Sequence, residues 1–350
     1  MHNVEVAMKR RFFILLLVVF SVFAAGLAFG QELPPQPKFS MWNRGNFYFN
    51  FHDMTTGVGP DWMGGDKGVY NFLNFNWYWK DVGWTMTMQW DGDDWLKAPN
   101  LRDYSAAFAL FKGKLRLDMG KVWHDGYRFA NFDATGFSAR LANGTTGILA
   151  RIYPLPGLSI GAFLPVDVAS AAFAATFADI NIGAEYLLGD RIVFKASYRM
   201  EELADNKDPT LMNKELALGL GLINRLDYQL FLGYRYADAA LEHDLFIDGY
   251  YKFPAFIVRA FGDVNYRNGT ILYGVKLNGE YEFLGIPLFA GATAAYHVGD
   301  YFNWYVNELS TTAYLRYDFG GGSSVQIGGD LIFRTPPMIM RLNAAYTIAF

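Results

Sequence analysis

Apolar residues recur at every second position through most of this chain, and few folds can accommodate that pattern. Phe47, Phe49 and Phe51 alternate with Asn46, Tyr48 and Asn50, and Trp84, Met86, Met88 and Trp90 alternate with Thr85, Thr87, Gln89 and Asp91. Farther on, Ile271, Tyr273, Val275, Leu277, Tyr281 and Phe283 alternate with Gly274, Lys276, Asn278, Glu280 and Glu282. A repeat of two is that of a β-strand, whose successive side chains leave opposite faces. Between Leu216, Leu218, Leu220 and Leu222 the intervening Ala217, Gly219 and Gly221 are small rather than polar, and the apolar face persists. The chain reads as all-β, and each strand carries one face that must be covered.

What covers that face follows from what lies opposite it. A soluble sandwich is commonly dense in Lys and Glu on its outer face, whereas here the second face mixes Asn, Gly, Ser, Thr and Tyr with sparse charge. Charged residues make up 18% of the chain, against roughly 25% in soluble domains, while hydrophobic residues reach 52% and aromatic residues 18%. Beyond residue 30 no apolar run approaches the roughly 18 residues that a spanning helix needs. Strands of about ten residues, apolar on one side, polar on the other and aromatic at their ends, fit a transmembrane antiparallel barrel whose outside meets lipid. Trp77, Trp79, Trp84, Trp90, Tyr186, Tyr198, Tyr228, Tyr251, Phe253, Tyr317 and Phe319 are the candidates for its two aromatic girdles.

Turn chemistry orders the strands. Short connections around Gly83, Gly113, Gly157, Gly189, Asp227, Pro254, Gly285 and Gly320 alternate with mostly longer, polar ones at 52–68, 91–102, 124–145, 166–176 and 202–214. Outer-membrane barrels pair short periplasmic turns with long external loops, which predicts about 18 strands here, with about 16 as the alternative. Asn278-Gly279 is a hairpin dipeptide, yet the alternation passes through it without a change of phase, so it is taken as mid-strand. Residues 137–153 read either as one long strand or as a loop followed by a strand.

Residues 1–30 read as a secretory signal, because Lys9, Arg10 and Arg11 precede an apolar run from Phe12 to Ala28, with cleavage expected before Gln31 and the barrel over 31–350. The absence of cysteine fits an oxidising compartment and excludes disulfide frameworks and thiolate metal sites. A formal net charge of −4, with both signs scattered along the chain, offers nothing to nucleic acid. The expected location is the outer membrane of a diderm bacterium.

The chain ends with Leu342, Ala344, Tyr346, Ile348 and Phe350 on one face, which resembles the C-terminal strand signal of bacterial outer-membrane proteins. The stretch Gly113-Lys114-Leu115-Arg116-Leu117-Asp118-Met119-Gly120-Lys121 resembles the strand before the third external loop of general porins, and 137–163 resembles the strand-turn-strand that follows it. The resemblance implies that Tyr346, Ile348 and Phe350 form the signal read by the barrel assembly machinery. It makes periplasmic chaperones and outer-membrane lipid further partners, and leaves a homotrimer open, since general porins are trimers. It also implies that residues 124–145 fold into the lumen as a constriction carrying Asp125, Arg128, Asp133 and Arg140. Porins place acidic groups on that loop; two acids beside two bases imply weak ion selectivity instead.

Phase places further charged residues on the inner face: Arg44, Arg116, Asp118, Lys195, Arg199, Arg235, Arg259, Asp263, Lys276, Glu280, Glu308, Arg316, Asp330, Arg334 and Arg341. Charge of both signs suits a water-filled channel, although opposed charges can also pair across strands and fill a plugged barrel. Catalytic patterns fail in context. Gly157-Leu158-Ser159-Ile160-Gly161 matches a nucleophile elbow, but a turn leads into a strand there, where that motif needs a strand leading into a helix. The histidines lack metal-ligand spacing, and Gly219-Leu220-Gly221 lacks the third glycine of a dinucleotide loop. No cofactor and no enzymatic activity are expected. The sequence favours a porin-like channel for passive diffusion of small hydrophilic solutes. The alternatives are a structural or partner-binding barrel, such as a surface-loop adhesin, and a substrate-specific outer-membrane transporter. The assigned phase also implies that Leu220→Arg impairs insertion while Gly221→Ser is tolerated.

Overall fold

The computed structural model describes residues 36–58, 69–91, 100–124, 127, 141–166, 180–201, 213–224, 227–238, 241–298, 308–333 and 338–350. Among them are strands and turns and no helix. The strands are β1 (Lys38–Asn50), β2 (Thr55–Val58), β3 (Val69–Trp79), β4 (Val82–Asp91), β5 (Asn100–Leu110), β6 (Leu115–His124), β7 (Ala142–Leu155), β8 (Leu158–Pro165), β9 (Asn181–Leu188) and β10 (Ile192–Glu201). They continue as β11 (Asn213–Asn224), β12 (Tyr228–Ala237), β13 (Glu242–Lys252), β14 (Phe256–Arg267), β15 (Thr270–Glu282), β16 (Leu288–Val298), β17 (Glu308–Gly320), β18 (Ser323–Phe333) and β19 (Ile339–Ala349).

Neighbouring strands are antiparallel, and β1 closes the ring on β19, from Trp42 opposite Ala349 to Asn50 opposite Arg341. Met41 and Phe350 exchange backbone hydrogen bonds of 3.1 and 2.9 Å at that seam. Closure is what lipid demands, because an open edge would hold a row of unpaired N–H and C=O groups in hydrocarbon. β2 and β3 run in succession along the same edge of β1, with Phe47 opposite Val58 and Gly45 opposite Val69. They make one stave interrupted by residues 59–68, so the barrel has 18 staves and one extra short strand. The alternative of 16 is thereby excluded, and the connection over 52–68 contains a strand that alternation did not reveal. β15 runs unbroken through Asn278-Gly279, and the ambiguous stretch over 137–153 enters β7 only at Ala142.

Each short connection expected from the sequence joins consecutive strands at one rim. Gly320, Gly321 and Gly322 hold φ of +81°, +63° and +86°, a left-handed run that residues with a Cβ rarely sustain, and they reverse the chain between β17 and β18. With the short-turn rim in the periplasm, a cysteine replacing Asp53 is expected to react with an impermeant maleimide on intact cells, and one replacing Lys114 only after permeabilisation. The opposite pattern would invert the topology. Gly157 is an unsuitable reporter, since its φ is +80° and a Cβ there would overlap the Leu187 carbonyl.

Residues paired across strands share a face, so register fixes orientation. Leu220 lies between Phe194 and Leu232, and Leu218 between Ala196 and Tyr234, on the outside, where Leu218 is 45% and Leu232 47% exposed. Near the short-turn rim Tyr251 meets Phe253 at 4.7 Å and Tyr317 meets Phe319 at 4.9 Å, between ring centroids. The buried side chains lie inside. Val193, Ala217, Phe231, Phe246 and Phe261 form one cluster, and Val122, Tyr127, Leu141, Ala142, Leu149 and Phe163 another. Gly233 gives up its side-chain space to the Phe246 ring, and Gly221 gives up its own to Phe231 and Val193. The expected tolerance of Gly221→Ser is therefore wrong: Gly221 does face inward, but the room for a hydroxymethyl group is already filled.

Candidate functional site

The lumen is the candidate site, and its charged side chains are organised by register. Arg116 on β6 stands opposite Arg151 on β7, a pairing of like charges that needs a counter-ion. Asp118, two residues along on the same face, supplies it. Its Oδ1 accepts from Arg116 Nε and Nη2 at 3.1 and 3.0 Å, and its Oδ2 accepts from Arg151 Nη2 at 2.6 Å. Arg151 Nη1 also lies 3.1 Å from His124 Nε2.

Arg235 on β12 gathers Glu242 at 2.5 Å, Glu215 at 3.6 Å and Asp244, while Asn265 donates to both Glu242 and Asp244. Glu280 on β15 is only 1% exposed. It accepts from Arg316 Nη2 at 2.9 Å and from the Tyr314 hydroxyl at 2.8 Å, with Arg259 Nη2 at 3.8 Å. Tyr314 reaches it from β17 by lying across Gly291 of the intervening strand, where any Cβ would collide with the ring. Lys195 meets Glu185 at 2.9 Å, Asp330 accepts from Thr312 at 2.8 Å and from Asn343, and Arg341 Nε donates to Asn50 at 2.8 Å.

A second arrangement runs along the wall from β17 through the seam to β6. Arg316 lies over Phe289 at 4.6 Å, Arg341 over Tyr48 at 5.1 Å, Arg44 over Trp42 at 4.8 Å and Arg116 over Tyr78 at 5.6 Å. Arg102 sits 3.7 Å from the Trp123 ring and 5.1 Å from that of Phe72. Stacking on an aromatic face holds a guanidinium in place while leaving N–H donors at its edge. The acids Glu215, Glu242, Asp244, Asp248 and Asp263 occupy β11 to β14, across the barrel from this wall.

Of the inner-face residues expected from the sequence, Arg44, Arg116, Asp118, Lys195, Arg199, Arg235, Arg259, Asp263, Lys276, Glu280, Glu308, Arg316, Asp330 and Arg341 fall on strand positions whose cross-strand partners face the lumen. Several are brought together, as in Asp118 with Arg116 and Glu280 with Arg259 and Arg316. In register, Asp263 stands between Phe246 and Gly274, and Glu308 opposite His297. Arg334, the segment 1–30 expected to be a signal, and Asp125, Arg128, Asp133 and Arg140, expected at a constriction, lie outside the described residues. On the outer face, Tyr346 stacks on Phe47 at 6.3 Å and Ile348 stands opposite Asn43.

Sequence reasoning missed Glu215, Glu242 and Asp244, which share a phase with residues it did choose. It also missed Asp103, which keeps the phase of Ser105 and Ala107, and Arg102, the latter for a physical reason. A bulge opposite Thr87 and Met88 inserts a residue, and two-residue counting fails across it. Among the described residues no three His, Asp or Glu side chains are placed to hold a metal ion.

No family model and no curated protein matches the chain. Solved structures do. OccK11 (OpdR) of Pseudomonas aeruginosa matches with a TM-score of 0.57 at 13% identity, over 90% of this chain and 96% of that one. OprD of the same organism gives 0.56 at 12% identity, over 90% and 95%. A mutant of the Rh. blastica porin gives 0.51 at 15% identity, over 90% and 100%. Similarity at such identities is similarity of fold, and it agrees with a closed barrel that is apolar outside and charged within. By fold, the chain is a closed antiparallel β-barrel of 18 staves, similar to the barrels of these outer-membrane porins.

Proposed function

We propose that the protein is a porin-like channel for passive diffusion of small hydrophilic solutes. The observation that carries this reading is the inner face. Arg116, Arg259 and Arg316 keep side-chain exposures of 33%, 22% and 26% although each is ion-paired, as side chains bordering water would. A plugged barrel would bury them. Such walls orient and select solutes through the field of their charges, and the mixture of signs favours weak selection. The likeness in fold to a porin supports the same reading.

In liposome swelling, the refolded protein is expected to admit uncharged sugars at rates that fall steadily with solute size. No swelling from correctly folded protein would favour a structural or partner-binding barrel. Selective uptake of anions is the second reading, favoured by the arginines laid on aromatic rings. It requires an anionic solute to enter faster than a neutral one of equal size, whereas passive diffusion through a weakly selective lumen requires nearly equal rates.

A further inference from the structure

Gly274 brings together two buried groups from the strands on either side of it. On β15 it stands opposite Asp263 of β14 and opposite His297 of β16, and all three face inward. A Cβ on Gly274 would lie 2.6 Å from Asp263 Oδ1 and 2.8 Å from His297 Nδ1. The carboxylate and the imidazole therefore lean over the glycine and share the room that a side chain there would take. Both residues are 4% exposed. Among the described residues neither carboxylate oxygen of Asp263 meets a hydrogen-bond donor. A buried carboxylate without a donor is costly, and the usual reliefs are a proton, a paired charge or a metal ion.

The neighbours of the pair decide among ligands. Glu308, 5% exposed, stands opposite His297 on β17. Lys276, two residues beyond Gly274 on the same face, stands opposite Phe261 and Ala295. Asp263 and Glu308 against Lys276 leave this stretch of wall net negative, which favours a cation over an anion. One carboxylate oxygen with one imidazole nitrogen suits zinc and its neighbours in the transition series, whereas calcium and magnesium take oxygen ligands. Among the described residues no third His, Asp or Glu is placed to join them, so water completes the shell.

We propose that Asp263 Oδ1 and His297 Nδ1 bind a divalent transition-metal ion of the zinc type over Gly274, tying β14 to β16 across the intervening strand. The site lies wholly on barrel strands and requires no conduction, so it stands or falls apart from the channel reading.

Zinc chloride titrated calorimetrically into the refolded, chelator-treated protein tests it. Wild-type protein is expected to bind a single zinc ion at this site. Asp263→Asn and His297→Gln should each weaken binding by more than about tenfold, the least that losing even a supporting partner of a ligand costs. Gly274→Ala, which fills the shared room and keeps both ligands, should weaken it too. His243→Gln should not, since that imidazole is bonded to the Tyr234 hydroxyl at 2.9 Å elsewhere on the wall. Heat-modifiable gel mobility gives a second readout. Zinc should raise the temperature at which the wild-type barrel opens, and metal-free Asp263→Asn should open no earlier than metal-free wild type, because it removes a buried charge.

Wild-type protein that binds no zinc, or binding that survives both Asp263→Asn and His297→Gln, would overturn the site. Metal-free Asp263→Asn that opens well before metal-free wild type would also overturn it, by showing that the carboxylate is already satisfied without a metal. If Gly274→Ala does not fold, the two variants of the ligands decide the matter.

Discussion

Leu220→Arg is expected to leave most of the protein uninserted. Leu220 is 39% exposed on the outside of β11, between Phe194 and Leu232, and its neighbours Leu218 and Leu222 offer no polar group to shield a guanidinium. Arginine on the lipid face near the midplane costs about 2–4 kcal/mol. The same substitution at Asn74, on the inner face of β3, is expected to insert normally, because that side chain donates to Ser40 Oγ at 3.3 Å and stands opposite Ser40 and Thr87, in polar surroundings. Heat-modifiable gel mobility of the refolded variants measures the inserted fraction. Equal insertion of the two would contradict the assignment of faces. Gly221→Ser should be intermediate, since crowding a filled site costs about 1–3 kcal/mol.

Glu280→Gln is expected to shift ion selectivity toward anions and to destabilise the barrel by about 3 kcal/mol, the low end for breaking a buried pair. Arg259 and Arg316 would lose their shared counter-charge, but their side chains are 22% and 26% exposed, and water would offset part of the loss. The shift is read as a change of reversal potential across a salt gradient, best at low salt because the field is screened over about 10 Å at 0.1 M. Arg316→Gln should move it the other way. An unchanged reversal potential in folded Glu280→Gln would place this cluster away from the path of the ions.

The faces of the strands were legible because two solvents enforce them: Leu218 and Leu220 must meet lipid, and Lys276 and Glu280 must not. The turn rim was legible for the same kind of reason, as at Gly320 to Gly322, where the backbone conformation needs glycine. What groups across strands was not. Arg316 and Glu280 meet across 36 residues of sequence, and their contact depends on the stagger of two hairpins that no local pattern records. A bulge hid Arg102 by breaking the count of two. Tyr127 was invisible because a residue between strands has no period, and the glycines under its ring, Gly161 and Gly183, read as flexible or small until the ring that fills them is seen. The same blindness to occupied glycine space made Gly221→Ser look harmless.

A conducting, water-filled lumen is tested most directly by adding the refolded, heat-modifiable protein to a planar lipid bilayer and recording current at fixed voltage. Discrete upward steps of uniform size are expected, with a reversal potential close to zero across a salt gradient. Repeated insertion of folded barrels without any steps would contradict it.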